Sequence, residues 1–237
     1  MKIGYIFTAT GKYSMFIDEV VNSGTKNFFP KENVEFIVFT DDTSYINKYK
    51  NLRVVNQQKL GWPHDTLMRF QLMDNIKDTL DHDYLFFGNA NMSFYSEVSY
   101  EMLPEKDSNG LVGSAHPMQN QQPKEYFSYE RSSESLAYVP IGGEGDCYYQ
   151  GCFFGGERNA FLKMVVELKN RVQIDLDNDV IAVWHDESHM NRYFIDNKPK
   201  TLHSGYAYPE SIHIDFEPKI IQLDKRKFGG HNFLREK

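Results

Sequence analysis

The sequence predicts one α/β domain, and three observations carry that prediction. Short apolar runs at residues 3–7, 34–39, 52–55 and 84–87 alternate with stretches of helical spacing. Tyr84-Leu85-Phe86-Phe87 is four large apolar residues in a row, the pattern of a strand covered on both faces. No repeat or linker divides the 237 residues, a length that suits one large domain.

Residues 3–7 form the first strand and run into Thr8-Ala9-Thr10-Gly11, a turn of small residues. Phe16, Ile17, Val20 and Val21 then repeat at helical spacing up to Gly24. This entry is that of many nucleotide-binding domains, but it has neither the dinucleotide fingerprint nor the phosphate-loop pattern. Residues 34–39 and 52–55 are the second and third strands. After the breaker Gly61-Trp62-Pro63, a helix is expected from His64 or Asp65 to about Leu80, with Leu67, Phe70, Met73 and Leu80 on its inner side. Arg69 lies in that helix, where a lone arginine most often faces solvent.

Gly88 ends the strand at 84–87, and Asn89 and Asn91 come next, one residue apart. Ligands of open α/β sheets sit beyond the carboxyl ends of strands, so both amides fall at the mouth of a site. Neutral amides hold a divalent cation poorly without carboxylate help. Residues 111–115 are a further strand leading to His116-Pro117, and 119–135 is a long polar loop with embedded aromatics, either packed or substrate-facing. The acidic, glycine-rich stretch 142–146 is a poor phosphate cradle. A strand at 147–156 carries an interior glycine, Gly151, of the kind that marks close approach by a ligand or another chain segment. A helix from Glu157 turns Phe161, Leu162, Val165, Val166 and Leu168 inward, and a second helix, capped by Asp186 or Ser188, ends near Asn197. Residues 201–202 and 220–223 are late strands, and from Lys219 onward the chain becomes locally basic, with Gly229-Gly230 as a hinge.

The net charge of −7 excludes nucleic acid as the main partner. No apolar run approaches the roughly 18 residues that span a bilayer, and the opening residues read as a strand, not a signal peptide. Two cysteines, Cys147 and Cys152, imply no disulfide framework. A cytoplasmic protein is expected, with room for peripheral contact at the inner membrane face.

Trp184-His185-Asp186-Glu187-Ser188-His189 is the densest cluster of functional side chains. His185 and His189 have the spacing of two metal ligands on one helix face, but Asp186 stands where a zinc-hydrolase motif needs glutamate. The alternative is a catalytic carboxylate, Glu187, beside a sugar that lies on the Trp184 ring.

These residues resemble a known family. Trp184 to Tyr193 is similar to the Trp-His-Asp-Glu-Ser-His-Leu-Asn-Lys-Tyr stretch of glycosyltransferase family 6, the family of the histo-blood-group A and B transferases and the α1,3-galactosyltransferases. Phe127-Ser128-Tyr129-Glu130-Arg131, His116-Pro117, Ala137-Tyr138-Val139-Pro140, Glu144-Gly145-Asp146 and Phe153-Phe154-Gly155-Gly156 fit in the same order, so the resemblance covers nearly the whole chain. It implies a GT-A fold with a mixed, mainly parallel Rossmann-like sheet flanked by helices. It also implies retaining α1,3 transfer of galactose or N-acetylgalactosamine from its UDP ester.

By the same resemblance Phe7, Thr8 and Tyr13 hold uridine, and Arg69 contacts the donor sugar or diphosphate. Glu187 is the catalytic carboxylate, while His185 and Asp186 bind the donor sugar. His116, Ser128, Trp184 and Glu187 face the acceptor, an oligosaccharide or glycolipid with an H-like fucosylated galactose. Gln150 and Cys152 stand where the family discriminates the acetamido group, and the volume of Cys152 favours UDP-galactose. Animal members place Asp-x-Asp where this chain has Asn89-Ala90-Asn91. The expectation is therefore an enzyme of the bacterial, metal-independent subgroup, with no cofactor. Its basic tail, chiefly Lys225, Lys227 and Arg235 within a mobile segment at about 224–237, would answer the diphosphate charge. A non-catalytic sugar-binding domain and a zinc hydrolase using His185 and His189 are the competing readings.

Overall fold

The computed structural model describes residues 1–236; Lys237, at the end of the expected basic tail, lies outside the described residues. The strands are β1 (Lys2–Thr8), β2 (Asn33–Thr40), β3 (Leu52–Asn56), β4 (Tyr84–Gly88) and β5 (Met92–Phe94), then β6 (Leu111–Ala115), β7 (Tyr149–Glu157), β8 (Lys200–Leu202), β9 (Tyr208–Pro209) and β10 (Ile220–Gln222). The α-helices are α1 (Ile17–Asn27), α2 (His64–Leu67), α3 (Arg69–Ile76), α4 (Arg158–Asp177), α5 (Asp186–Asp196) and α6 (Gly230–Arg235).

Seven strands form the main sheet in the order β3-β2-β1-β4-β7-β6-β8. Its pairs are parallel except those that β7 makes with β4 and β6, so the sheet is mixed and mainly parallel, as expected. Alternation along β1 divides the core. Ile3, Tyr5 and Phe7 pack with α1 on one face, while Ile6 packs with Phe70, Phe161, Met164 and Leu168 of α3 and α4 on the other. Burial on both faces is why these strands read as unbroken apolar runs, and each such side chain contributes about 1.5–3 kcal/mol.

A second sheet, β5-β10-β9, ties the C-terminal segment to the turn after β4. Its strand β5 is also held by α1: Asn27 Nδ2 donates to the Phe94 carbonyl at 2.5 Å, and Ser23 Oγ accepts from Phe94 N at 3.1 Å.

Two helix expectations need correction. The single helix expected over 64–80 is broken at Met68. Arg69 turns inward there, and its Nε takes the Thr66 carbonyl at 3.2 Å, an acceptor an unbroken helix would use itself. The second correction concerns α5, whose first cap is His185 at φ 54°, with no side-chain cap. Ser188 instead reaches back from the first turn and accepts from Trp184 N at 3.0 Å. No helix among the described residues is long and apolar enough to cross a membrane.

Candidate active site

The carboxyl ends of β1 and β4, the start of β7 and the N-terminus of α5 converge on one cleft. Two adjoining recesses make it up, and they share Trp62, Thr66, Arg69 and Asn89.

Glu187 stands at the floor of the second recess. Its Oε2 accepts from Gly151 N at 2.7 Å, and its Oε1 accepts from the Tyr148 hydroxyl at 3.1 Å. A methyl group on Gly151 would meet Glu187 Cβ at 2.9 Å, so the glycine's approach partner is the carboxylate residue itself. Burial raises the Glu187 carboxyl above the usual range, while the Gly151 N–H, Tyr148 and Arg69 oppose that rise.

Beside it, Arg69 is buried, not solvated. Its Nη1 lies 3.0 Å from Asp186 Oδ2 and donates to the Gly151 carbonyl at 2.6 Å, and its guanidinium covers the Phe87 ring. Burial pushes the Asp186 carboxyl up to about 7, with Arg69 pulling the other way. One arginine thus ties the α3 start to the Gly151 carbonyl in β7 and to the Asp186 carboxylate, next to Glu187, in α5.

Besides Arg69, the first recess carries two cationic side chains, Lys225 and Arg235, against one carboxylate, Asp65. Thr8, Tyr13, Asn89 and Asn91 line it together with Lys225 and Arg235. Asn91 Nδ2 donates to the Leu223 carbonyl at 2.7 Å, and Leu223 N donates back to the Asn91 carbonyl at 2.8 Å. Just beyond, residues 225–228 form a 3₁₀ turn. Gly229, in the left-handed region at φ 89°, then reverses the chain into α6, so Lys225 and Arg235 face the same recess. Lys59 Nζ donates to the Arg235 carbonyl at 2.9 Å, a contact suited to the orphan acceptors of a helix end. Burial, and next the charge of Arg235, hold the Lys225 ammonium down to about 8.

The turn after β4 offers two neutral amides and no carboxylate, and no cluster of three His, Cys, Asp or Glu occurs among the described residues. Asn91 Oδ1 and Thr8 Oγ1 are buried without partners, which leaves two polar atoms for a bound molecule.

The remaining expected residues occupy several places. Phe7 is fully buried in the core and lines neither recess. Gln150 and Cys152 wall the second recess. The Gln150 amide is pinned to the Ala115 and Ala207 carbonyls at 3.1 and 3.3 Å, and burial pushes the Cys152 thiol up to about 12. His116 is neutral, because burial lowers it to about 4; its Nδ1 accepts from Met118 N and Gln119 N, which leaves Nε2–H for the cleft. Trp184 is half exposed on the rim, and the His185 ring meets the Trp62 ring edge-on at 4.7 Å. Ser128 is not part of the lining; its carbonyl shares the Tyr148 hydroxyl with Glu187, at 3.3 Å. Lys227 points outward and pairs with Glu210 at 2.7 Å. His189 is in the core, 3.4 Å from Asp175, so it shares no site with His185. Its ring takes the inner side of α5, which removes the zinc-hydrolase pair.

Sequence reasoning missed Tyr148 and Trp62. Tyr148 read as one of several strand aromatics, and Trp62 as part of a turn signal. The Trp62 ring lies under the Arg235 guanidinium at 3.6 Å, a contact across 173 residues that local pattern cannot carry.

The sequence has relatives among known proteins. An O-antigen biosynthesis glycosyltransferase of Escherichia coli, WbnI, is 34% identical over 238 residues, covering all of both chains. A globoside α1,3-N-acetylgalactosaminyltransferase of Gallus gallus is 31% identical over 94% of this chain and 65% of its own. A histo-blood group ABO system transferase of Rattus norvegicus is 31% identical over 89% of this chain and 62% of its own, so the chain spans under two thirds of these two animal relatives. The glycosyltransferase family 6 model matches residues 1–235, and the mixed sheet flanked by helices is the GT-A arrangement. Since that match runs unbroken from β1 through the Asn-Ala-Asn turn and the Glu187 helix to α6, the chain is a member of glycosyltransferase family 6.

Proposed function

We propose that this enzyme transfers galactose from UDP-galactose, with retention and in α1,3 linkage, to the β-galactoside of an H-like fucosylated oligosaccharide or glycolipid. No divalent metal takes part in this reading. The observation that carries it is one cleft whose second recess holds the clamped Glu187 carboxylate and whose adjoining first recess holds Lys225 and Arg235, with Asn89 lining both.

The bond from sugar C1 to UDP breaks, and its electron pair passes to the β-phosphate oxygen. Lys225 and Arg235 answer that charge, the task a metal performs elsewhere. The cationic centre left at C1 is met by Glu187, whose two hydrogen bonds aim the carboxylate. The acceptor hydroxyl bonds to C1 on the face the UDP leaves, and its proton goes to the departing phosphate. Trp184 offers an apolar plane to the acceptor ring, and His116 Nε2–H offers it a donor.

Cys152 and the pinned Gln150 favour galactose by leaving little room beside the sugar C2. N-acetylgalactosamine, named in the Gallus gallus relative, is the alternative donor. The name of the Escherichia coli relative supports an O-antigen-type glycan as the acceptor class.

The test is a matrix of UDP-galactose and UDP-N-acetylgalactosamine against lactose and 2′-fucosyllactose, with and without chelator. Transfer of galactose to the fucosylated acceptor in chelator is the expected outcome; loss of transfer restored by Mn²⁺ sinks the metal-free mechanism. Glu187→Gln separates an enzyme from a sugar-binding domain, because it should keep UDP binding and lose transfer.

A further inference from the structure

Two buried carboxylates outside the cleft are held by backbone and hydroxyl groups, without an ion pair to Lys or Arg among the described residues. Glu130 is 8% exposed and Asp175 is 2%. Glu130 Oε1 accepts from Ser132 N at 2.7 Å, and its Oε2 accepts from Val183 N at 2.6 Å. Asp175, near the end of α4, accepts from Ser135 Oγ and, at 2.9 Å, from Leu136 N. The two acids thus fasten the 127–139 loop at two points, one to the turn before α5 and one to α4.

The Val183 bond lies one residue ahead of the cleft rim. Trp184 N donates to Ser188 Oγ, and the Trp184 carbonyl accepts from Glu187 N at 3.1 Å. On the other side of Glu130, the loop carries Ser128, whose carbonyl accepts from the Tyr148 hydroxyl that also holds Glu187. Burying a charge is costly, and ordinary packing would attach a loop without it. The Ser132 and Val183 N–H groups bond to different oxygens of Glu130, and a carboxamide in that place would turn a donor NH₂ toward one of them.

We propose that Glu130 is a positioning residue for the acceptor: by bonding Ser132 N and Val183 N at once, it fixes the Trp184 rim against the 127–139 loop. The inference rests on the acceptor reading of Trp184 given above.

Glu130→Gln keeps shape and removes one acceptor, so an amide N–H confronts a backbone N–H. The acceptor KM should rise about tenfold, while the donor KM and acceptor-free hydrolysis of UDP-galactose stay within about twofold. Glu130→Asp, too short to reach both segments, should fall between wild type and Gln and serves if the Gln variant folds poorly. A second readout needs no substrate. The chain has two tryptophans, so Trp62→Phe leaves Trp184 as sole reporter. Its fluorescence anisotropy should drop when Glu130→Gln is added. Unchanged anisotropy overturns the clip, and so does an equal rise of donor and acceptor KM, which marks a general structural defect. An unchanged acceptor KM in Glu130→Gln also overturns the proposal. A wild-type acceptor KM in Trp184→Ala counts instead against the acceptor reading itself.

Discussion

Gly151 and Glu187 approach so closely that the peptide N–H of one reaches the carboxylate of the other at 2.7 Å, with no room for a side chain between them. The carboxylate proposed as catalytic is thereby aimed by main chain on one oxygen and by the Tyr148 hydroxyl on the other. Gly151→Ala should push Glu187 aside, destabilise the fold by about 1–3 kcal/mol and lower kcat about 100-fold. Steady-state kinetics with a thermal melt check this; a wild-type kcat would mean that Glu187 is not held by this contact.

Acidity sets the second expectation. Glu187 must be ionised to face a cationic centre, and burial raises its pKa, so the acid limb of kcat/KM should lie above the ordinary glutamate range. Lys225, held down to about 8, must be protonated to meet a diphosphate, so the profile should fall again near pH 8. Lys225→Arg should keep activity and move that alkaline limb upward, since guanidinium does not titrate there. A limb that stays in place in the Arg variant assigns it to another group.

Removing the Arg69 side chain should be costly. Arg69→Met leaves Asp186 buried without its cation, a loss of about 3–5 kcal/mol. The sign of its pH dependence comes from the raised Asp186 pKa. The folded protein binds more protons than the unfolded chain between the usual 3.8 and about 7, so stability declines as pH rises through that window. Without Arg69 the pKa climbs further and the decline continues to higher pH. Urea unfolding at pH 5 and pH 8 should therefore show a larger Arg69→Met penalty at pH 8.

Restoring acids to the turn after β4 should not simply restore a metal site. Asn91 donates to the Leu223 carbonyl, and an aspartate cannot. Asn91→Asp should weaken UDP binding about tenfold by setting a carboxylate against that carbonyl, and Mn²⁺ should not recover it fully. Calorimetric UDP titration with and without Mn²⁺ decides; full recovery would show that the turn can still hold a cation.

Much of this was readable in the chain itself. The run at 84–87 betrays its burial on both faces, and the interior glycine at 151 does mark a close approach. Arg69 was unreadable as a buried ion pair, because its partner lies 117 residues away and its helix neighbours are amphipathic. Tyr148 and Trp62 gain meaning only from Glu187 and Arg235, which the fold brings to them. Ser188 misled because a capping residue can act from inside the first turn as well as ahead of it.

The small sheet has a consequence for how the protein is made. Strand β5 takes its one sheet partner, β10, from residues 220–222, after the main sheet has received its last strand at 200–202. At a synthesis rate of about 5–20 residues per second, β5 waits on the order of ten seconds for that partner. An unpaired edge invites association with other nascent chains. In the folded chain the other side of β5 is occupied, because Ser23 and Asn27 of α1 hold the Phe94 amide and carbonyl. With α1 on one side, β5 has a single edge left to pair, and the segment carrying Lys225 and Arg235 follows directly on the strand that takes it.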